Sequence, residues 1–374
     1  MARRANQEGS IIKRSDNRWG ACLSIDGKRQ WVYGPTRQAV AEKLRQLQGL
    51  AKLAGHLPDA GKLTIGDFLG LWLEQATDRL RPKTLDNYRT LVKRFILPRL
   101  GTTRLTKVNG LAVATFLRGL AKDGVSGFRA RQVYALLHRA LGDAVRWGLL
   151  ASNPAATVER PRPRAAKRHI WSADEAMAFV RGIETTEVGR WGDLFIFLLA
   201  AGCRVGEALG LRWSDIDLTT GLVSIERQVT EVAGEFVEGP PKSDAGRRTI
   251  VLPAWGLAAL ERQKTRMRRY QLAADNPFDQ RWGYVFRTAT GTVPTLTNLR
   301  RRLVALCDQF GLPRVRIHDL RHISLTLLAA AGVPVKDLQR RAGHSSATLT
   351  MNVYVHPVGD GDRAAAAVLQ QLKR

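Results

Sequence analysis

The spacing of hydrophobic positions changes along the chain, and each spacing predicts a different kind of structure. Between residues 10 and 33, short runs rich in Ile, Val, Trp and Tyr are broken by turn residues such as Asp26-Gly27, which predicts three antiparallel strands. After Thr36, which fits a helix cap, apolar residues recur every three or four positions. The first helical stripe, which can cover the sheet, consists of Val40, Leu44, Leu47 and Ala51.

Helical spacing continues through residues 63–155 without a strand-like run, which predicts a helical bundle. Its last two helices are expected at 109–120 and 126–148. The limits of the first two fall at residues that start or stop helices: a capping box at Thr64 and Asp67, Pro82 in a first turn, and Pro98 as a stop.

A change of composition separates this bundle from the rest of the chain. Residues 156–169 are rich in proline and basic residues and almost free of apolar ones, which predicts a linker. A second capping box at Ser172 opens residues 170–356, where helical and strand-like runs mix, and residues 357–374 predict a tail helix. With residues 1–57 as a first domain, the expected fold is multidomain and mainly α with small β-sheets.

The net charge of the chain indicates which kind of partner it binds. It carries 59 Lys and Arg against 33 Asp and Glu, and the formal charge of +26 is spread along its length. Such a chain is expected to bind a polyanion over a wide surface. We expect an intracellular protein, because no apolar stretch has membrane length and no signal core follows Met1. Cys22, Cys203 and Cys307 have no metal or disulfide spacing and are expected to be reduced thiols.

The densest group of reactive side chains surrounds Arg321. On a helix, His318, Arg321 and His322 share one face while Leu320 and Ile323 share the opposite one. The two histidines have the i, i+4 spacing of a metal pair. However, no glutamate follows the first histidine and the neighbouring arginine would repel a cation, so phosphate binding is favoured over a metal site.

Further candidates follow this helix. Gly343 fits the end of a second helix, so that His344 is expected at a chain reversal, and Tyr354 is expected on the next short helix. By itself, a tyrosine beside valines is more often a core residue than a nucleophile. Its position after the other reactive residues favours the functional interpretation.

Two cationic candidates lie upstream of this group. Arg204 follows a glycine break at a helix start, and Glu207 one turn later can hold it in place. Lys242 lies before a strand-like stretch that ends at Pro253, and it is expected on a hairpin turn. Taken alone, the first pair can be a plain helix ion pair and the lysine a solvated turn residue.

In this combination of residues the chain resembles the tyrosine recombinases, the family of phage integrases. The resemblance covers roughly residues 64–356. It implies that one strand of duplex DNA is cut by a tyrosine hydroxyl, which keeps the 3′ phosphate as a phosphotyrosine, and that no metal or other cofactor is required. The matching catalytic positions are Arg204, Lys242, His318, Arg321, His344 and Tyr354, supported by Glu207 and His322.

The chemistry explains why these residue types are needed. Arg204 and Arg321 can each offer a fork of donors to the non-bridging oxygens, where negative charge grows in the transition state. His344 would add another donor, and His318 can either accept the tyrosine proton or donate to the phosphate. Lys242, as the resemblance implies, would protonate the leaving 5′ oxygen.

The resemblance also implies DNA contacts outside the active site. Residues 1–57 resemble the arm-binding domain of phage integrases, in which the sheet reads DNA; a β-rich module for protein contacts is the alternative. The bundle resembles the core-binding, SAM-like domain of the family, although its basic residues can equally form a solvated face. The predicted DNA-binding residues are Arg14, Arg29 and Trp31 in the first domain, Lys83 and Arg131 in the bundle, and Arg168 in the linker.

The function that the resemblance implies is site-specific recombination that integrates or excises a mobile element, in the cytoplasm of a bacterial host and associated with its nucleoid. The implied partners are core-type and arm-type attachment sites in double-stranded DNA, three more copies of the chain in a homotetramer, a DNA-bending host factor and an excision factor. The alternatives are a type IB topoisomerase, a DNA-binding regulator without catalysis, and a metal-dependent transposase with a carboxylate triad.

Overall fold

The computed structural model describes residues 9–25, 28–54, 61–162, 169–186, 191–273 and 283–346. The chain divides into two compact units, Met1–Ala166 and Lys167–Arg374. Among the helices in these described ranges, none is long and apolar enough to span a membrane.

The first unit begins with a three-stranded antiparallel sheet that is covered on one face by a helix. Its elements, in the sheet order β1-β2-β3, are β1 (Ser10–Lys13), β2 (Trp19–Ile25), β3 (Lys28–Gly34) and the covering helix α1 (Arg37–Ala54). Thr36 caps α1 as predicted, because its Oγ1 accepts the N–H of Ala39 at 3.1 Å. The predicted stripe is confirmed in the buried core of Ala21, Leu23, Val32, Val40, Leu44, Leu47 and Ala51. The turn predicted at Asp26-Gly27 lies outside the described residues.

The other described residues of this unit form a helical bundle. Its helices are α2 (Ile65–Ala76), α3 (Pro82–Leu91), α4 (Leu97–Leu100), α5 (Gly110–Lys122) and α6 (Gly127–Arg146). The predicted capping box is confirmed, since Thr64 Oγ1 accepts the N–H of Asp67 at 3.1 Å and the Asp67 carboxylate accepts the N–H of Thr64 at 3.2 Å. Phe68, Trp72 and Trp147 are fully buried in the bundle core.

The prediction that Pro98 stops a helix is wrong. The chain continues from α3 through one π-helical stretch, Val92–Ile96, into α4, where Pro98 occupies the first turn. The N–H of Leu97 donates to the carbonyl of Val92, one residue further back than in an α-helix. This wider turn accommodates the proline, which has no N–H of its own and would clash inside a regular helix.

The sheet and the bundle contact each other through polar groups around Trp147. The indole N–H of Trp147 donates to Gln46 Oε1 at 3.1 Å, and its carbonyl accepts from Gln30 Nε2 at 3.2 Å. Gln75 Nε2 donates to the carbonyl of Gln46 at 3.1 Å. These bonds join α1 and β3 to the bundle.

The end of the bundle extends beyond α6. Pro154–Thr157 forms a 3₁₀ turn, and Ala155 is fully buried in the bundle core. The hydroxyl of Tyr134 lies 3.0 Å from the carbonyl oxygen of Ala155 and 3.2 Å from that of Val158. The first residues of the segment 156–169 therefore pack on the bundle, and the bounds of the linker stay a prediction.

The second unit surrounds an apolar helix. Its helices are α7 (Ala173–Thr185), α8 (Gly192–Ala201), α9 (Val205–Leu209), α10 (Ala254–Leu272), α11 (Leu296–Gln309), α12 (Ile317–Ala330) and α13 (Val335–Ala342). Every residue of α8 is buried, and α8 packs against α10 and α12. Because α8 is held from several sides, the turn that follows it has a fixed place in the unit.

The described part of the second unit also contains two small antiparallel sheets. One has the order β4-β5-β8, and the other is a hairpin of β6 and β7. Their strands are β4 (Ile216–Asp217), β5 (Leu222–Ile225), β6 (Gln228–Val232), β7 (Glu235–Gly239) and β8 (Arg248–Val251). The predicted fold class, mainly helical with small sheets, is confirmed.

Candidate active site

Arg204 lies at the junction of α8 and α9. Gly202 ends α8 with a φ of +63°, in the left-handed region that favours glycine, and a Cβ there would lie 3.1 Å from Ser324 Oγ. Arg204 then occupies the N-cap of α9, and its backbone N–H donates to Glu207 Oε2 at 3.0 Å. Its guanidinium donates to Glu207 Oε1 at 2.8 Å and to the carbonyl of Gly343 at 3.4 Å.

Glu207 is a buried carboxylate between two arginines. Besides Arg204 it binds Arg248, whose Nη2 lies 2.9 Å from Glu207 Oε2. Burial would raise the pKa of the Glu207 carboxyl, but the charge of Arg248, its hydrogen bond and the contacts of Arg204 outweigh burial and hold that pKa below its usual range. The carboxylate is therefore ionised at neutral pH and can orient Arg204.

Arg321 projects from α12 into the buried centre of the unit. Its Nη1 donates to the carbonyl of Gly202 at 2.9 Å, and its Nη2 donates to the carbonyl of Ala342 at 2.6 Å. The same Nη2 lies 2.8 Å from Nε2 of His344. One guanidinium thus joins the end of α8, the end of α13 and the predicted second histidine.

His344 follows the helix end at Gly343, as predicted. Gly343 has a φ of +63°, and a Cβ there would lie 2.9 Å from both the carbonyl oxygen of Ala245 and Nη1 of Arg248, so glycine is needed for this close approach. Burial, followed by the charges of Arg321 and Arg204, lowers the pKa of His344 to about 4. A neutral imidazole whose Nε2 accepts from Arg321 carries its proton on Nδ1.

His318 and His322 lie at the start of α12, with ring centroids 4.8 Å apart and the rings nearly perpendicular. Packing around the imidazole, followed by the charges of His322 and Arg321, lowers the pKa of His318 to about 4, although part of the residue stays exposed to solvent. Asp319 fixes this helix start, since its carboxylate accepts the N–H of Arg316 at 2.9 Å. Within the described ranges, no group of three or more His, Cys, Asp or Glu side chains could hold a metal ion.

The expectation that Lys242 lies on a hairpin turn is wrong. The hairpin of β6 and β7 closes at Ala233-Gly234, two residues with positive φ, which suits a tight turn. Two prolines follow β7 and cannot donate to a strand ladder, so the hairpin ends before Lys242. Lys242 is exposed on the connection from the hairpin to β8 in the other sheet. Tyr354 lies outside the described residues.

Sequence reasoning assigned no role to Arg248, which the structure places at the centre of this site. It is 7% exposed, at the start of β8. Along this strand Arg248 and Ile250 point inward while Thr249 and Val251 point outward. An arginine on the inward positions of an otherwise apolar strand was the signal available in the sequence, because a buried charge needs a partner.

Cys203 is a buried neighbour of this site rather than a reactive group. Burial, followed by the charge of Glu207, raises the pKa of its thiol to about 12. It is therefore a neutral thiol at physiological pH and packs in the core.

The DNA-binding candidates of the first unit lie on its exposed surfaces. Arg29 and Trp31 share the face of the sheet opposite α1, together with Tyr33, which stacks on Trp31 with ring centroids 6.2 Å apart. The guanidinium of Arg14 lies 5.1 Å from the centre of the Tyr33 ring. This outer face combines aromatic rings with positive charge.

The bundle candidates are also at the surface. Lys83 and Arg131 are both exposed, and Lys83 pairs with Asp86 at 2.9 Å. Arg168 lies outside the described residues. The geometry is compatible with DNA contacts at the first two positions, and their role stays a prediction.

Comparison with protein families matches both units. The model of the phage integrase family matches residues 174–359, and the model of the phage integrase N-terminal SAM-like domain matches residues 64–120. The chain belongs to the phage integrase family of tyrosine recombinases. The family that the sequence predicted is confirmed.

Similar proteins extend over most of the chain. A tyrosine recombinase XerC-like protein of Caldanaerobacter subterraneus subsp. tengcongensis is 26% identical over 363 residues, which covers 92% of each chain. A putative prophage phiRv2 integrase of Mycobacterium tuberculosis (strain H37Rv) is 27% identical over 390 residues, covering 99% of this chain and 97% of the relative. The prediction of a recombinase of the integrase type is therefore confirmed.

Two solved structures share the fold. The Tn1549 transposon integrase in complex with a circular intermediate DNA has a TM-score of 0.70 at 21% identity, covering 82% of this chain and 99% of its own. A lambda integrase dimer bound to a COC' core site has a TM-score of 0.57 at 18% identity, covering 96% of this chain and 97% of its own.

Proposed function

We propose that this integrase-family enzyme cuts one strand of duplex DNA with the hydroxyl of Tyr354, holds the 3′ phosphate on that tyrosine, and passes it to the 5′ hydroxyl of a second DNA. The observation that carries this proposal is the convergence of Arg204, Arg321 and His344. Arg204 and Arg321 both contact the short turn that ends α13, where His344 lies. Three donors from three separate elements thus surround one location.

This convergence suits a phosphoryl-transfer transition state. Two guanidinium groups held by protein carbonyls and by Glu207 are oriented before the substrate arrives, so little reorganisation is needed as charge grows on the non-bridging oxygens. Guanidinium forks match those oxygens in geometry and remain charged at every physiological pH. The arginines can therefore provide the charge stabilisation that metal ions provide in other phosphoryl-transfer enzymes.

The histidines are assigned roles that follow from their protonation. With a pKa of about 4, His318 is neutral at pH 7 and can accept the proton of the attacking tyrosine. His344, whose Nε2 lies 2.8 Å from Nη2 of Arg321, carries its proton on Nδ1 when it is neutral, and this N–H is assigned as the donor to the phosphate. A DNA phosphate in the site would raise both pKa values toward neutrality, which also leaves the phosphate-donor role of His318 open.

Lys242 is proposed as the acid that protonates the leaving 5′ oxygen. Its position supports this role, because it is exposed on the connection that leads into β8, the strand that begins with Arg248. An ammonium on a long side chain can reach a DNA oxygen that the buried arginines do not approach.

The assembly is proposed from the related structures. A lambda integrase has been solved as a tetramer bound to a Holliday junction, with a TM-score of 0.56 to this chain at 18% identity. We propose a homotetramer on core-type sites, with arm-type sites bound by residues 1–57, for integration or excision of a mobile element in the cytoplasm of a bacterial host, on nucleoid DNA. A DNA-bending host factor and an excision factor are proposed as further partners. Relatives of nearly equal length that are integrases favour strand exchange over topoisomerase activity.

The test uses a nicked suicide substrate that traps the covalent complex. The wild-type protein is expected to give a denaturation-resistant protein–DNA band, and Tyr354→Phe is expected to bind the same DNA without giving the band. The wild-type band should persist in EDTA. A band from Tyr354→Phe would refute the nucleophile, and a band that vanishes with the chelator would indicate a metal site at His318 and His322.

A further inference from the structure

Arg248 is the residue at which the separate parts of the proposed active site meet. Each nitrogen of its guanidinium donates to a different segment of the chain. Nη2 lies 2.9 Å from Glu207 Oε2, Nε lies 2.6 Å from the carbonyl oxygen of Arg341, and Nη1 lies 2.8 Å from that of Gly246. The side chain is almost completely buried, so water does not substitute for these partners.

Each of the three segments carries a proposed catalytic residue. Glu207 orients Arg204. The carbonyl of Arg341 lies at the end of α13, three residues before His344. Gly246 ends the 3₁₀ turn that follows Lys242, and a Cβ on Gly246 would lie 2.5 Å from the Cβ of Pro241, so this connection is folded tightly on itself.

We infer that Arg248 is a positioning residue that holds Arg204, the Lys242 segment and the His344 turn at fixed distances from one another. This inference rests on the proposed function and adds a residue to which neither the reaction chemistry nor the sequence pattern gave a role. Arg204 and Arg321 occupy the positions of the two catalytic arginines of the family and Arg248 does not, and each of the three guanidinium nitrogens of Arg248 donates to a protein acceptor, so we assign it a positioning role rather than a DNA contact.

Arginine suits this position because its guanidinium is planar and sends donors in several directions at once. A lysine would keep the positive charge beside Glu207 but would lack the fixed fork that reaches three segments. A methionine would fill a similar volume but would remove both the positive charge and the fork of donors. Comparing Arg248→Lys with Arg248→Met therefore separates the effect of losing the donor geometry from the effect of losing the positive charge.

The first measurement is single-turnover cleavage of the suicide substrate at saturating protein. Arg248→Lys is expected to bind DNA within about twofold of wild type and to cleave about 10- to 100-fold more slowly, the cost expected when catalytic groups are slightly misplaced. The matched control is Arg262→Lys, which alters another arginine that binds a buried carboxylate, Asp193, at 2.8 Å but lies outside the site. The control should lose thermal stability without a comparable loss of cleavage.

A second measurement does not depend on the nucleophile. In a Tyr354→Phe background, binding is compared for DNA with a normal scissile phosphate and DNA with a neutral methylphosphonate at that position. If Arg204 and Arg321 are held on the phosphate, the protein prefers the charged DNA, and Arg248→Lys reduces that preference. The two ideas fail separately. If the wild-type protein forms no covalent band on the suicide substrate, the proposed nucleophile is refuted. If Arg248→Lys keeps the wild-type preference for the charged phosphate, the positioning role is refuted.

The third readout is the pH profile. The charged and titratable groups that face Glu207 are Arg204, Arg248 and Cys203. Without Arg248, burial raises the pKa of Glu207, so Arg248→Met should lose further cleavage as the pH falls from about 8 to about 6, and Arg248→Met/Glu207→Gln should not. The inference is overturned if Arg248→Lys cleaves like wild type, or if Arg248→Lys and Arg248→Met lose cleavage only in proportion to their loss of folded protein.

Discussion

The cationic residues of this protein fall into two groups with different surroundings. Arg321 and Arg248 are buried and their guanidinium groups donate to backbone carbonyls or to Glu207, whereas Lys242, Arg29 and Arg131 are exposed. A buried cation needs partners to offset the loss of water, and those partners also fix its direction. Exposed cations keep their water and can adjust to a DNA backbone.

This difference separates two tasks. The buried group is preorganised to stabilise charge at one phosphate, which suits catalysis. The exposed residues can supply binding energy along a length of DNA. One of them, Lys242, is the proposed proton donor to the leaving oxygen once DNA is bound. We therefore predict that variants of the buried group impair chemistry more than binding. Variants of the exposed residues other than Lys242, the proposed proton donor, should impair binding more than chemistry.

The largest effect is expected for Arg321→Ala. Its Nη2 is directed to the turn that carries His344 and its Nη1 to the carbonyl of Gly202. One donor to a developing charge is typically worth about 10²- to 10³-fold in rate, so cleavage should fall by about 10³-fold or more when the whole guanidinium is removed. The carbonyls of Gly202 and Ala342 would also lose a donor, at about 1–3 kcal/mol each in the free energy of unfolding. Single-turnover cleavage and chemical denaturation measure the two losses. A variant that cleaves within tenfold of the wild-type rate would contradict the catalytic role assigned to the buried arginines.

Lys242→Ala should cleave normal DNA about 10²-fold or more slowly, the usual contribution of a general acid. On DNA with sulfur at the 5′ bridging position it should recover, because a thiolate leaves without being protonated. Arg204→Ala and Arg321→Ala should not recover, since their partners are the non-bridging oxygens. Equal recovery of all three variants would show that the exposed lysine and the buried arginines do not divide the work in this way.

Glu207→Gln tests the buried ion pairs that Glu207 makes with Arg204 and Arg248. The carboxylate is nearly inaccessible and contacts two arginines, so removing its charge should cost about 3–5 kcal/mol of unfolding free energy at neutral pH. The folded-state pKa lies below the ordinary value of about 4.3, so this stabilisation is complete above that pH and is lost as the pH falls through the folded-state pKa. The difference between wild type and variant, measured by urea denaturation, should therefore shrink in acid. A constant difference down to strongly acid pH would contradict the buried ion pair.

The smallest effect on chemistry is expected on the outer face of the N-terminal sheet. Arg29→Ala should weaken binding of flanking attachment-site DNA and lower the slope of log affinity against log salt by about one, as the loss of one phosphate contact predicts. Trp31→Ala should weaken the same binding without changing the salt slope. Cleavage at the core site should remain near wild type for both. A variant that loses core cleavage but keeps binding of flanking DNA would argue against an arm-binding role.

Much of this architecture was predictable because it depends on local patterns. The stripe of α1, the capping box at Thr64 and the helix end at Gly343 each follow from a few neighbouring residues. The reactive residue types in order also sufficed to predict the family.

The remaining features depend on contacts between distant segments. Arg248 gained its role from the carbonyl of Arg341 and the carboxylate of Glu207, which lie far from it in sequence. The strand-like runs around Lys242 predict a hairpin there, whereas β6 pairs with β7 and the hairpin turn lies at Ala233-Gly234. Pro98 was expected to stop a helix because the π-helical stretch that accommodates it leaves no simple signal in the sequence.

The central claim is that Tyr354 carries the DNA phosphate. The direct test is mass spectrometry of the trapped complex after digestion with nuclease and trypsin. Trypsin should release residues 342–363, a peptide in which Tyr354 is the sole tyrosine. The account predicts this peptide with the mass of a nucleotide remnant, and fragment ions that place the added mass on Tyr354. A remnant on any other residue, or a trapped complex whose peptide 342–363 is unmodified, would contradict it.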